Sequence, residues 1–323
     1  MTLLATRLLV ALTALAFGLA APAAIAQTPT RISIVVPYPA GGLSDSLARA
    51  TAAVMSRNMN IPVIVDNRAG ANGVIGLQFV ASAKPDGMTL GLVPASVMTT
   101  NPLLYKDMKV DPLKDVAPLT LALTLPNVVV VNPAVVPAKT FPELLSFLKQ
   151  HPNTSFGSMG AGSSAHLNGE MLQAEAGVAM THVPYKGSAP SMNDLLAGTI
   201  PMAFDNLPVA LPYIRAGKMR ALGVTSLKPS PALPDVPPIA QYLPRFEDNI
   251  WFGYIAPNGL PAPLASSLRA ELIKALNDPE VSRPMLERGA TVITSSPEEM
   301  RQIIQDEQKK WGALIKVRNI RID

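Results

Sequence analysis

The chain contains no cysteine among its 323 residues. That absence excludes thiol catalysis, zinc–thiolate sites, disulfides and attachment of lipid at a cysteine. Charge is scarce too. Asp, Glu, Lys and Arg make up 15%, with 27 basic against 23 acidic side chains and a formal charge of +4. The small excess is scattered and forms no basic run, which argues against nucleic acid as a partner. A mild positive field does favour the capture of anions. Three histidines occur, His151, His166 and His182, without the i, i+4 spacing of a helical metal site. No G-x-S-x-G nucleophile elbow is present. Neither a metal nor a cofactor is expected. Beyond the first 26 residues no apolar run approaches the ~20 residues of a membrane span.

The long apolar run that does occur is Leu8 to Ala21, preceded by Arg7 and followed by Ala24-Ile25-Ala26. A basic residue, an apolar stretch and a small-x-small end describe a cleavable secretory signal peptide over residues 1–26. Cleavage after Ala26 leaves 323 − 26 = 297 residues of a soluble, exported protein. A chain of that size buries enough surface to fold without disulfides.

Two Gly/Ser loops stand out, VPYPAGGLSD at 36–45 and GSMGAGSSAH at 157–166. Each follows an apolar strand and opens a helical pattern. Free backbone N–H groups at a helix start, with the positive end of the macrodipole, form an anion site that needs no Arg or Lys. A hydrogen bond to a charged ligand group contributes about 1.5–3 kcal/mol. Several together reach micromolar affinity. Two such loops predict two α/β lobes holding one anionic ligand between them.

Strands and helices alternate throughout. Strands are predicted over 31–36, 62–65 and 88–93, with helices over 43–57 and 74–83, which argues for a parallel sheet covered on both faces. The β-branched run 119–132 reads as a strand pair crossing to a second lobe. That lobe has helices over 141–150, 163–176, 188–197 and 207–216, and strands over 154–158, 181–184, 199–204 and 219–225. Residues 249–256 read as the return crossing. Helices over 261–277, 279–288 and 297–316 then complete the first lobe. The expected division is lobe 1 over 27–125 plus 250–323 and lobe 2 over 126–249. Two crossings between two lobes describe a hinged binding protein.

The ordered motifs VPYPAGG-x-x-D, NRAGANGVIG, KPDG, THVPYKGSAPSMNDLLAG at 181–198, FDNLP at 204–208, GKMRALGVTS at 217–226, WFGYIAP at 251–257 and EEMRQIIQDEQKKWGALIK at 298–316 cover the mature chain. Together they resemble the periplasmic solute-binding receptors of tripartite tricarboxylate transporters, the Bug-type or TctC-type proteins. The resemblance implies a two-lobe Venus-flytrap α/β fold, a periplasmic monomer, an organic acid as ligand and a membrane permease as partner.

Candidate ligand residues follow from the loops and the resemblance. In the first loop these are Tyr38, Ala40, Gly41, Gly42, Ser44 and Asp45. The alternative is a plain strand–helix turn, with Ser44 or Asp45 capping and Asp45 paired with Arg49. Ser96 follows the strand 88–93, as does Asn101, where open α/β sheets place ligand contacts. The second loop supplies Ser158, Gly160, Gly162, Ser163, Ser164 and His166. Tyr185 stands beside Lys186, which is either an anion contact or a solvated charge. Asp205 is either a helix cap before Asn206-Leu207-Pro208 or a cleft residue facing water, an amine or a hydroxyl. Trp251, Phe252 and Trp311 read as core. Ser163 or Ser164 with His166 and Asp205 also supplies the residue types of a secreted serine hydrolase. A third reading is a ligand-responsive partner of a membrane sensor. The leading expectation is a receptor for a small mono- or dicarboxylate, without chemistry of its own.

Overall fold

The computed structural model describes residues 30–322; the signal segment 1–26 lies outside them. The chain begins with β1 (Ile32–Val36), α1 (Leu43–Met59), β2 (Val63–Asn67), α2 (Val74–Ala81) and β3 (Thr89–Pro94). Two short helices follow, α3 (Ala95–Thr99) and α4 (Asn101–Leu104), then the long strand β4 (Val116–Val131). The second half contains α5 (Phe141–Gln150), β5 (Thr154–Ser158), α6 (Ser164–Ala176), β6 (Met180–Pro184), α7 (Ser188–Ala197), β7 (Met202–Asn206), α8 (Leu207–Arg215) and β8 (Arg220–Val224). The chain returns through β9 (Asn249–Pro257) and ends with α9 (Ala262–Leu276), α10 (Pro279–Glu287), β10 (Thr291–Val292) and α11 (Pro297–Arg318).

β1 lies between β2 and β3, all parallel, while β9 runs antiparallel to β3 and β4 antiparallel to β9. In the other lobe β5 is parallel to β6 and β7, and β4 runs antiparallel to β7 and β8. β4 therefore belongs to both sheets. Its residues 116–126 pair with β9, and residues 127–131 pair with β7 and β8. One continuous strand makes the crossing that the β-branched run at 119–132 reads as two. A β-branched side chain suits a pleated surface on either face, so composition alone sets no break within the run.

Each lobe has a core on both faces of its sheet. The period of two sorts β4: Val129 and Val131 join the core under α5 and α6, while Val128 and Val130 face α7 and α8. In the first lobe Ile32, Ile34 and Val36 face α1 and α9, whereas Val35 and Val93 face α2, α3 and α11. Each fully buried aliphatic side chain stabilises by about 1.5–3 kcal/mol.

The last helix departs from the expected arrangement. Its early residues Met300 and Ile304 pack in the first lobe, but Trp311 and the following Ile320 join the core of the second. Arg318 Nε donates to Glu170 Oε2 at 2.7 Å. α11 thus spans both lobes. Among the described residues no helix is long and apolar enough to cross a membrane.

Candidate functional site

A cavity of about 540 Å³ opens between the lobes. Helix starts supply much of its lining. Gly42 and Ser44 come from the start of α1, Ala95 and Ser96 from α3, Ser163 and Ser164 from α6, Ser188 and Ala189 from α7, and Asn206 from the entry to α8. Each helix follows the C-terminal end of a parallel strand, where such sheets collect ligands. Three of these starts, at α3, α7 and α8, lie outside the two Gly/Ser loops.

The first loop is organised by Asp45. Gly42 is the helix N-cap with extended backbone and no side-chain cap bond. Neither Ser44 nor Asp45 occupies the cap. Instead Asp45 reaches back from the first turn, where its Oδ2 accepts from Gly41 N–H at 2.9 Å and from Arg49 Nε at 2.9 Å. Its Oδ1 accepts from Asn67 Nδ2 at 3.0 Å. The guanidinium beside Asp45 holds its carboxyl below the usual range. Gly41 N–H is thereby occupied, and neither Gly41 nor Asp45 lines the cavity. Tyr38, Ala40, Gly42 and Ser44 do. The Tyr38 hydroxyl lies 3.3 Å from Asn72 Oδ1, and burial pushes it up to about 12. Asn72 is in the left-handed region at φ 49 and is clamped by Asn101, which donates to its carbonyl at 2.9 Å. Asn101 therefore acts behind Asn72, which itself lines the cavity.

The second loop satisfies much of its own backbone. Gly162 N–H donates to His166 Nδ1 at 3.0 Å, and Gly160 N–H donates to Ser158 Oγ at 3.2 Å. Ser163 caps α6, accepting from His166 N–H at 3.3 Å and donating to the Gly160 carbonyl at 2.6 Å. His166 stacks on His182 with ring centroids 3.7 Å apart. Burial lowers the pKa of both rings, that of His182 down to about 3. Ser158, Gly160, Gly162 and His166 therefore build the loop from behind, while Ser163 and Ser164 face the cavity.

Tyr185 turns away: its hydroxyl donates to Asp194 Oδ2 at 2.6 Å. Its neighbour Lys186 lines the cleft. Asp205 lies within β7, is 0% exposed and is not the cap of α8, a position Asn206 takes. Its Oδ1 accepts from Ser188 Oγ and Asn206 N–H, both at 2.7 Å. Oδ2 has no partner among the described residues. Asp205 sits one layer behind the starts of α7 and α8. Burial pushes its carboxyl up to about 7. Serine, histidine and aspartate form no relay here, since Ser163 Oγ donates to a carbonyl, the His166 ring accepts from Gly162 N–H, and Asp205 binds Ser188.

Asp205 predicts a pH effect. Its pKa is about 7 in the fold against an ordinary 3.8. Below about pH 4 both states are protonated and it contributes nothing. Between about pH 4 and 7 only the unfolded chain loses the proton, so stability falls by about 1.4 kcal/mol per pH unit, roughly 4 kcal/mol in all. Asp205→Asn should flatten the stability–pH profile by one proton across this window, measured by urea unfolding. An unchanged slope would count against a buried, protonated Asp205.

Asp248, Phe252, Glu307 and Trp311 complete the lining. Phe252 and Trp311 read as core in sequence, and both are buried yet face the cleft. Asp248 and Glu307 carry no sequence signal, because the fold brings them together from the return crossing and the last helix.

Residues 47–320 match the model of the tripartite tricarboxylate transporter family receptor. BugT of Bordetella pertussis is 34% identical over 303 residues, covering 93% of both chains. The solved structure of Rpa4515 from R. palustris with adipate has a TM-score of 0.83 and 34% identity, covering 91% of this chain and 99% of that one. The periplasmic binding protein BugD has a TM-score of 0.80 and 34% identity, again covering 91% and 99%. These are two-lobe solute-binding proteins and not enzymes.

Proposed function

The chain belongs to the tripartite tricarboxylate transporter receptor family, and from that premise we propose that it captures a small mono- or dicarboxylate in the periplasm and delivers it to the membrane permease of such a transporter. The convergence of five helix starts on one cleft carries this reading. Unpaired N–H groups at the positive ends of helix dipoles bind a carboxylate with little cationic help. Lys186 adds one positive charge at the rim. The solved relative with adipate supports a carboxylate as the ligand class.

Residues 1–26 direct export and are cleaved after Ala26, and the mature protein is a monomer. The lobes are residues 27–125 with 250–323, and residues 126–249, except that the end of α11 and Ile320 pack against the second lobe. Transport rather than membrane signalling is favoured by the family's permease partnership.

A thermal-shift screen of organic acids tests the ligand class, because a ligand at a hundred times its Kd adds about 2.7 kcal/mol to stability. No shift with any acid would count against it. Closure is tested separately. The lobes join at Pro126-Asn127, where β4 passes from β9 to β7, and at Asp248-Asn249, where β9 begins. Small-angle scattering should give a smaller radius of gyration with a saturating acid than without. An unchanged radius would leave a rigid cleft.

A further inference from the structure

Capture of an acid by helix starts leaves the end of α11 unexplained. Arg318, in the final turn of that helix, pairs with Glu170 of α6 at 2.7 Å, although 148 residues separate them in the chain. Glu170 is 9% exposed, and a carboxylate so placed is costly unless it is paired. Its other oxygen, Oε1, accepts from Gln173 Nε2 at 2.9 Å, and Gln173 Oε1 accepts from Met180 N–H at 2.9 Å. These bonds hold the carboxylate in one orientation. Among the described residues Arg318 is its one Lys or Arg partner.

From Glu170 the contacts run into the second Gly/Ser loop. Glu170 Oε1 lies 3.8 Å from His166 Nε2, one helical turn earlier. His166 Nδ1 accepts from Gly162 N–H at 3.0 Å, so the neutral ring carries its proton on Nε2, facing the carboxylate. His182 stacks on that ring from β6, and its Nε2 lies 2.7 Å from Ser158 Oγ, which accepts from Gly160 N–H. The loop held in this way presents Ser163 and Ser164 to the cavity. The bond from Gly162 lasts only while Nδ1 is bare. A second proton there would set two donors face to face and release the loop. A carboxylate beside Nε2 favours that second proton, and a guanidinium on the carboxylate opposes it. Burial lowers the pKa of the ring, and Glu170 works against the burial. The charged or titratable groups that face His166 are Glu170 on its own helix, His182 on β6 and, behind Glu170, Arg318 on α11.

We propose that Arg318 is a positioning residue for the ligand loop: by neutralising Glu170 it keeps His166 an acceptor for Gly162 N–H, and so holds Ser163 and Ser164 at the cleft without lining it. The chain end that carries Arg318 also covers the loop from outside, since a side chain at Gly162 would meet Ile322. The last turn of α11 thereby does more than fill the second lobe's core. It widens the pH range over which the loop keeps its shape. The proposal rests on the carboxylate reading for what the loop holds, whereas the order of the loop itself is measurable without a ligand.

The test is nuclear magnetic resonance of the unliganded mature chain, following amide exchange at Gly162 and titration of the His166 ring. In Arg318→Gln the Gly162 amide should exchange at least about tenfold faster, and His166 should titrate about half a pH unit or more higher. Arg318→Lys should restore both. Adding Glu170→Gln to Arg318→Gln should bring the His166 midpoint back down, because it removes the charge that Arg318 had balanced. A role for Arg318 in packing alone would not be rescued in that way. Calorimetry with adipate and with succinate then reads the grip of the loop: Arg318→Gln should lose at least about fivefold more affinity, relative to wild type, at about pH 5.5 than at about pH 7.5. Near-ultraviolet circular dichroism checks the fold. Should Arg318→Gln not fold, Glu170→Gln alone decides, since it must lower the His166 midpoint. An unmoved midpoint in that variant, or unchanged exchange and midpoint in a folded Arg318→Gln, would overturn the proposal. So would a raised midpoint that Glu170→Gln leaves in place. A wild type that binds neither acid counts against the carboxylate reading, and the ring titration still decides the role of Arg318.

Discussion

Gly42→Val should leave a folded protein that no longer binds an organic acid. Gly42 lines the cleft, and a Cβ there has no neighbour nearer than the Pro39 carbonyl at 4.0 Å. Its φ of −79 suits any residue. The fold therefore accepts the side chain at about 1 kcal/mol or less, the difference between Gly and Val at an N-cap. The added methyl groups occupy the space before the free N–H groups of α1. A loss of at least about a hundredfold in affinity, or about 2.7 kcal/mol, is expected by calorimetry. Gly162→Val should do the reverse. Gly162 has φ +76, and its Cβ would lie 2.7 Å from Ile322 Cδ1 and 2.9 Å from Leu104 Cδ1. Left-handed strain of about 1–2 kcal/mol and overpacking of about 1–3 kcal/mol add to a stability loss of roughly 2–5 kcal/mol. Wild-type affinity in Gly42→Val would place the ligand away from α1.

The two glycine positions look equivalent in sequence and are not. Both belong to a Gly/Ser loop before a helix, which is a local pattern and easily read. Whether a loop N–H points at a ligand or at its own helix is decided by a side chain one turn on. Asp45 takes Gly41 N–H and His166 takes Gly162 N–H. Neither choice is encoded in the glycine spacing. The strand 199–204 shows how a small register error propagates. β7 runs to Asn206, which takes Asp205 from the helix cap or cleft edge to a buried strand position. Elements with strong apolar periodicity, such as α5 and α7, match the expected 141–150 and 188–197. The acidic wall was illegible for a different reason. Asp248 and Glu307 are far apart in the chain, and only the packing of α11 across both lobes unites them.

That packing makes Trp311→Ala the most damaging single truncation expected. Trp311 is 3% exposed, joins the second lobe's core and lines the cleft. It stands on a helix whose earlier turns are fixed in the first lobe by Met300 and Ile304. Removing a buried indole costs about 3–5 kcal/mol, because the cavity left behind collapses only in part. A chain of this size has about 5–15 kcal/mol of stability in total. The loss should appear as a lower urea midpoint with wild-type slope. Binding should weaken too, since the apolar wall beside Glu307 is gone. Trp311→Phe separates the two effects: it keeps much of the packing, so stability should largely recover. The unliganded Ala variant should also scatter as a more open particle, because one of three links between the lobes is loosened. Stability within about 1 kcal/mol of wild type in Trp311→Ala would mean that α11 rests on the second lobe without holding it.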